Sequence, residues 1–141
     1  GRRWDEVREK RNLAYSVWAS NVTMYEPGYF QFGVMAQGSN VDAAVETILA
    51  EVARISEGAV SDDELVDARN QAIGENLLSL QKNSEQAQAI ALDTIYGMGP
   101  THVFEIPKLI DKVTLEDLKR VAKKYFDPAK AILVVTRPAA K

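Results

Sequence analysis

The chain has 141 residues, 46% hydrophobic and 26% charged, with a net charge of −3, the length for one core and the balance of a globular domain rather than a disordered or fibrous chain. So weak an acidic excess gives no electrostatic reason to expect nucleic acid or an anionic membrane as partner, and no stretch reaches the roughly 18 apolar residues of a membrane span. The absence of cysteine removes disulfides, thiolate zinc sites and cysteine nucleophiles together, and leaves the compartment, cytoplasmic or periplasmic, open.

Taken in chain order, residues 3–11 read as a short helix with Trp4 and Val7 on one side, and Asn12 is a suitable terminator because Asn tolerates left-handed backbone. A chain that opens in the body of a helix reads as a single domain, residues 1–141, truncated at its N-terminus. Residues 14–24 and 29–37 are rich in strand formers and flank Glu26-Pro27-Gly28-Tyr29, where Pro then Gly fits the centre of a type II turn. Phe30, Phe32, Val34 and Ala36 alternate with Gln31, Gly33, Met35 and Gln37, which assigns the first set to the core.

From Ser39 the period becomes helical. Val41, Ala44, Val45, Ile48, Leu49, Val52 and Ile55 share a face, and Gly58 stands where a C-terminal cap belongs. Ser61-Asp62-Asp63-Glu64 has the spacing of a capping box, and Leu65, Ala68, Ala72, Ile73, Leu77 and Leu80 continue the helix. A third helix runs from near Ser84 to Tyr96 and stops at Gly97-Met98-Gly99-Pro100. Residues 102–113 suggest a shorter helix or a pair of turns interrupted at Pro107, Thr114-Leu115-Glu116-Asp117 is another cap, and Ala131–Val135 reads as a closing apolar strand. Strands segregated from helices define an α+β fold, an antiparallel sheet with helices packed on one face.

Direct signs of chemistry are few. One histidine, His102, rules out a two-histidine zinc motif within the chain, and its place in a loop suits a surface residue. Gly97-x-Gly99 follows a helix and precedes no lysine, the reverse of a phosphate loop. The acids 62–64 are explained by the favourable dipole at a helix start. Arg8 and Tyr15 are separated by a helix end and a strand entry, so both can stand at one edge of the sheet. An ion pair from Arg8 to Asp5 and a tyrosine packed with its hydroxyl outward account for the same residues without chemistry.

VREKRNLAYSVWAS, residues 7–20, resembles the R-E-K-R-G-L-A-Y-S-V signature of the C-terminal half of pitrilysin or insulinase-type zinc metallopeptidases, the superfamily of the mitochondrial processing peptidase. SDDELVDARNQAIGENLLSLQ resembles that family's S-x-x-E-L and A-K-N segments, and DKVTLEDLKRVAKKYFDPAKAILVVTRP resembles its V-T-x-E-D-V-x-x-V-A-x-K-Y segment and terminal strand. Asn12 stands where the family has glycine, and measured against the family the chain is expected to begin after the domain's first strand and part of its first helix.

The resemblance implies a ferredoxin-like half of a metallopeptidase clamshell, the half without the metal. In such proteins zinc lies on an inverted H-x-x-E-H helix of another domain or subunit, so zinc and a zinc-bearing partner are expected outside this chain, together with a peptide substrate and a homo- or hetero-oligomer. Carried over, Arg8 is substrate-binding, and Tyr15 both binds substrate and donates a transition-state hydrogen bond, since a guanidinium grips carbonyl oxygens and a phenol can donate to an oxyanion. The isolated chain would then be inactive as a zinc metalloendopeptidase. The alternative is a catalytically inactive structural or assembly module of the same superfamily.

Overall fold

The computed structural model describes residues 14–23 and 28–137. Among the described residues two strands come first, β1 (Ala14–Val22) and β2 (Tyr29–Ala36), then a 3-10 turn (Gly38–Asn40) and five α-helices. These are α1 (Val41–Glu57), α2 (Asp62–Ser79), α3 (Asn83–Ile95), α4 (His102–Asp111) and α5 (Leu115–Tyr125), with a last 3-10 turn at Pro128–Lys130. The expected α+β class holds. The helix expected over residues 3–11 and the Glu26-Pro27 part of the turn lie outside the described residues. The chain divides into two compact units, residues 1–59 with 118–141 and residues 60–117.

In the first unit β1 and β2 are antiparallel, with Val17 opposite Val34, Ala19 opposite Phe32 and Asn21 opposite Phe30. The face bearing Phe30 and Phe32 meets Phe126, just beyond α5. The Phe126 ring stands edge-on to both, with centroids 5.1 Å from Phe30 and 5.4 Å from Phe32. This geometry sets ring hydrogens against a π face, and each such pair adds about 0.5–1.5 kcal/mol beyond its buried area. Helix α1 buries Ala44, Ile48 and Val52, a four-residue spacing that keeps side chains on one stripe. Leu49, expected on the same side, is 44% exposed, because one residue along a helix is a turn of about 100° and the stripe is narrow. From α5, Ala122 joins the buried set. On the other face of the sheet Gly33 lies opposite Trp18, and a Cβ added to Gly33 would overlap the indole.

The ends of these elements are chemically specified. Gly58 is left-handed, φ 87°, and its N–H and that of Ala59 bond to the Ile55 and Arg54 carbonyls at 3.0 Å, the paired bonds of a Schellman ending. After α5 the Asp127 carboxylate accepts the Ala129 N–H at 3.0 Å and meets Lys130 Nζ at 3.2 Å. The backbone donor first, and then the lysine, hold its pKa below the usual carboxylate value.

Residues 131–135 depart from expectation. They form no ladder among the described residues, and Ile132, Leu133 and Val134 are 91%, 66% and 80% exposed. A strand exists by pairing rather than by propensity, and the described ladder consists of β1 and β2 alone. At the far end of this run Arg137 Nη2 reaches Asp42 Oδ1 at 3.3 Å.

The second unit is helical. Ser61 and Glu64 form the reciprocal capping box that their spacing predicts: the Ser61 N–H donates to the Glu64 carboxylate at 2.9 Å, and the Glu64 N–H donates to Ser61 Oγ at 3.3 Å. Thr114 and Asp117 repeat the arrangement at the start of α5, each N–H donating to the other's side chain at 3.1 Å. Leu65 of α2 and Val103 of α4 are its fully buried apolar residues among those described. Ala68 and Leu77 are exposed. Arg69 ties α2 to the loop before α5, donating to the Val113 carbonyl from Nε at 2.9 Å and also from Nη2. Helix α4 runs through Pro107 without a break. The proline costs the bond its N–H would have made to the carbonyl of Val103, but Val103 is 2% exposed and its burial holds the preceding turn in place. No helix of the described residues is long and apolar enough to cross a membrane.

Two substitutions test these assignments. Gly33→Ala must push the Trp18 indole off the sheet, and overpacking of this kind costs about 1–3 kcal/mol, read as a lower urea midpoint and a shifted tryptophan emission. Ser61→Ala breaks the capping box and removes about 1 kcal/mol, measured by the same melts with the emission unchanged.

Candidate functional site

Tyr15 lies at an irregularity in the ladder. Ala14 is opposite Ala36 and Ser16 opposite Met35, so β1 spends one more residue than β2 across this step and Tyr15 has no Cα partner. That is a β-bulge, which takes a side chain out of the strict alternation of a strand and re-aims it. The Tyr15 side chain is 66% exposed. Gln37, one residue past the end of β2, donates from Nε2 to the Tyr15 hydroxyl oxygen at 2.8 Å.

Gln37 is itself held. Its backbone is extended at the head of the 3-10 turn, φ −65° and ψ 148°, and its carbonyl accepts the Asn40 N–H at 2.8 Å. Accepting from the amide uses the oxygen of the phenol and leaves its O–H available as a donor. Arg8, the proposed companion of Tyr15, and Asp5, its alternative ion-pair partner, both lie outside the described residues.

His102 is more than a surface residue. Its Nδ1 lies 3.0 Å from Asp93 Oδ2, with the two side chains 26% and 13% exposed, so the pair joins α3 to the start of α4. The intervening turn uses left-handed glycines at Gly97 and Gly99, φ 77° and 87°. Sequence reasoning missed the pairing because a nine-residue separation brings two side chains together only through that turn. The acids 62–64 occupy the first turn of α2, as expected.

Among the described residues no group of three His, Asp or Glu side chains is placed to hold a metal ion. A cleft of about 420 Å³ opens between the ends of α1 and α5, where Lys123, Lys124 and Lys130 face Glu57 and Asp127. Its one hydroxyl, Ser56 Oγ, donates to the Val52 carbonyl at 3.1 Å. The one hydroxyl of the cleft is thus engaged with a backbone carbonyl rather than with a base.

Comparison with known proteins identifies the family. The family model of the peptidase M16 inactive domain matches residues 1–72, half of the chain. The beta subunit of the mitochondrial-processing peptidase of Blastocladiella emersonii is 30% identical over 132 residues, 92% of this chain and 28% of that protein. An uncharacterized zinc protease of Streptomyces coelicolor is 26% identical over 134 residues, 95% of this chain and 29% of that protein. The chain thus spans about three-tenths of the length of these relatives. Among solved structures, an inactive peptidase domain from Bordetella parapertussis superposes with a TM-score of 0.76 at 20% identity, over 94% of this chain and 72% of that one. A protease from Helicobacter pylori gives 0.71 at 18% identity, over 87% of this chain and 30% of that one. With a family model matched over half its residues, the chain belongs to the M16 peptidase family, in the part that the model describes as the inactive domain.

Proposed function

We propose that this chain is the non-catalytic module of a zinc peptidase, a structural half that works only beside a zinc-bearing one. The match to the inactive domain carries this reading. Its residue supply supports it: zinc is held by three or four nitrogen, sulfur or carboxylate ligands, and the chain has no cysteine and one histidine, which is occupied with Asp93. Among the described residues no group of three His, Asp or Glu side chains is placed to hold zinc. The metal and its H-x-x-E-H helix then belong to another domain or subunit, and a subunit designation in the name of one relative supports a division of this kind.

A second reading gives the module a part in the reaction, and the bulge favours it. A tyrosine lifted out of the strand alternation, exposed and held at its oxygen by an amide, is suited to donate to the carbonyl oxygen of a peptide as it gains charge. Arg8 would grip the backbone of the same peptide.

Purified without chelator, the chain is expected to hold no tightly bound zinc by elemental analysis and to leave a quenched fluorescent peptide intact. One zinc retained per chain would overturn the module reading. In the complete peptidase, Tyr15→Phe is expected to lower kcat by roughly 10²–10³-fold, as removal of an oxyanion donor does, with little change in KM. Arg8→Ala should instead raise KM more than it lowers kcat, because it removes binding common to ground and transition states. Wild-type turnover in Tyr15→Phe would leave only the structural module.

A further inference from the structure

We infer that Gln37 is the positioning residue for Tyr15: its amide donates to the phenol oxygen and so directs the phenol's own proton outward, toward whatever the tyrosine contacts. The inference rests on the second reading above, in which Tyr15 donates to a peptide carbonyl. Its observations are the 2.8 Å bond from Gln37 Nε2 to the Tyr15 oxygen, the bulge that leaves Tyr15 unpaired, and the turn that fixes the Gln37 backbone at the end of β2.

The chemistry follows from the phenol. Conjugation with the ring keeps the hydroxyl hydrogen close to the ring plane, which leaves it two orientations. An N–H donor arriving on one side of the oxygen disfavours the hydrogen there and selects the other. Accepting that bond also polarises the O–H and strengthens it as a donor. Without the amide, an exposed phenol divides its proton between the two orientations and between substrate and water. Gln37 need touch neither substrate nor metal to act in this way.

Polarity is the test. Gln37→Glu replaces the donor with a carboxylate, which accepts the tyrosine proton and turns it inward. Gln37→Met keeps similar length and offers no donor. In the complete peptidase, with a quenched fluorescent peptide as substrate, Gln37→Glu is expected to lower kcat about as far as Tyr15→Phe, roughly 10²–10³-fold, and Gln37→Met to lower it less. KM should move little in either. In a Tyr15→Phe background, Gln37→Glu should cost nothing further, since both act through one proton. Thermal melts of the single variants should match the parent, as expected for an exposed pair. Wild-type kcat in Gln37→Glu, beside a damaged Tyr15→Phe, would overturn this inference and leave the catalytic reading intact. An undiminished Gln37→Glu loss in the Tyr15→Phe background would overturn it as well, by showing a route that bypasses the phenol. A silent Tyr15→Phe would remove the catalytic reading, and the inference with it.

Discussion

The arrangement of the first unit depends on one ring. Phe126 stands edge-on to both Phe30 and Phe32, and by doing so it fastens the end of α5 to one face of the sheet. Two aromatic residues spaced by two on a strand project from the same face, so a single ring can meet both only if it approaches across the strand. That requirement fixes which face is interior. It also fixes what happens next in the chain: Asp127 turns it at once by accepting the Ala129 N–H, and Pro128 begins the short turn that carries it off the sheet.

With the interior face settled, the other features of the sheet acquire their directions. Trp18 and Gly33 oppose each other on the face away from Phe126, where the glycine makes room for the indole. Tyr15 belongs to neither series, because the bulge releases it from alternation just where the ladder ends. Gln37 leaves β2 at the same end and bonds to it. The site thus depends on the ladder ending irregularly, and its two side chains come from the opposite termini of a hairpin.

What could be read from the sequence follows a physical division. Features determined within a few residues were legible: the Ser61 and Thr114 caps, the glycine ending of α1, and the alternation that puts Phe32 and Val34 inward. Features determined by a partner distant along the chain were not. The bulge at Tyr15 depends on how β2 pairs, the Asp93 bond of His102 depends on the turn between them, and the pairing of residues 131–135 needs a neighbouring strand. Pro107 is intermediate. Its lost hydrogen bond is a local effect and suggests an interruption, but the helix runs through it unbroken, with Val103 buried one turn earlier. For the site itself, Tyr15 was singled out by resemblance, whereas Gln37 was anticipated only as an outward-facing residue of the second strand.

The bulge has a consequence for how the hairpin comes together. A ladder with a pure two-residue repeat can slide by two and keep the same faces inward, so misaligned pairings compete with the right one while the chain is collapsing. Here an extra residue at one end and a glycine beneath an indole further along mark two separate positions. A slide by two would move the indole from Gly33 onto a residue with a Cβ, and would set the bulge against a different pair. Hairpins of this kind close in about 1–10 μs, well before slower rearrangements. A register marked twice lets that early step reach the native alignment with few wrong pairings to undo.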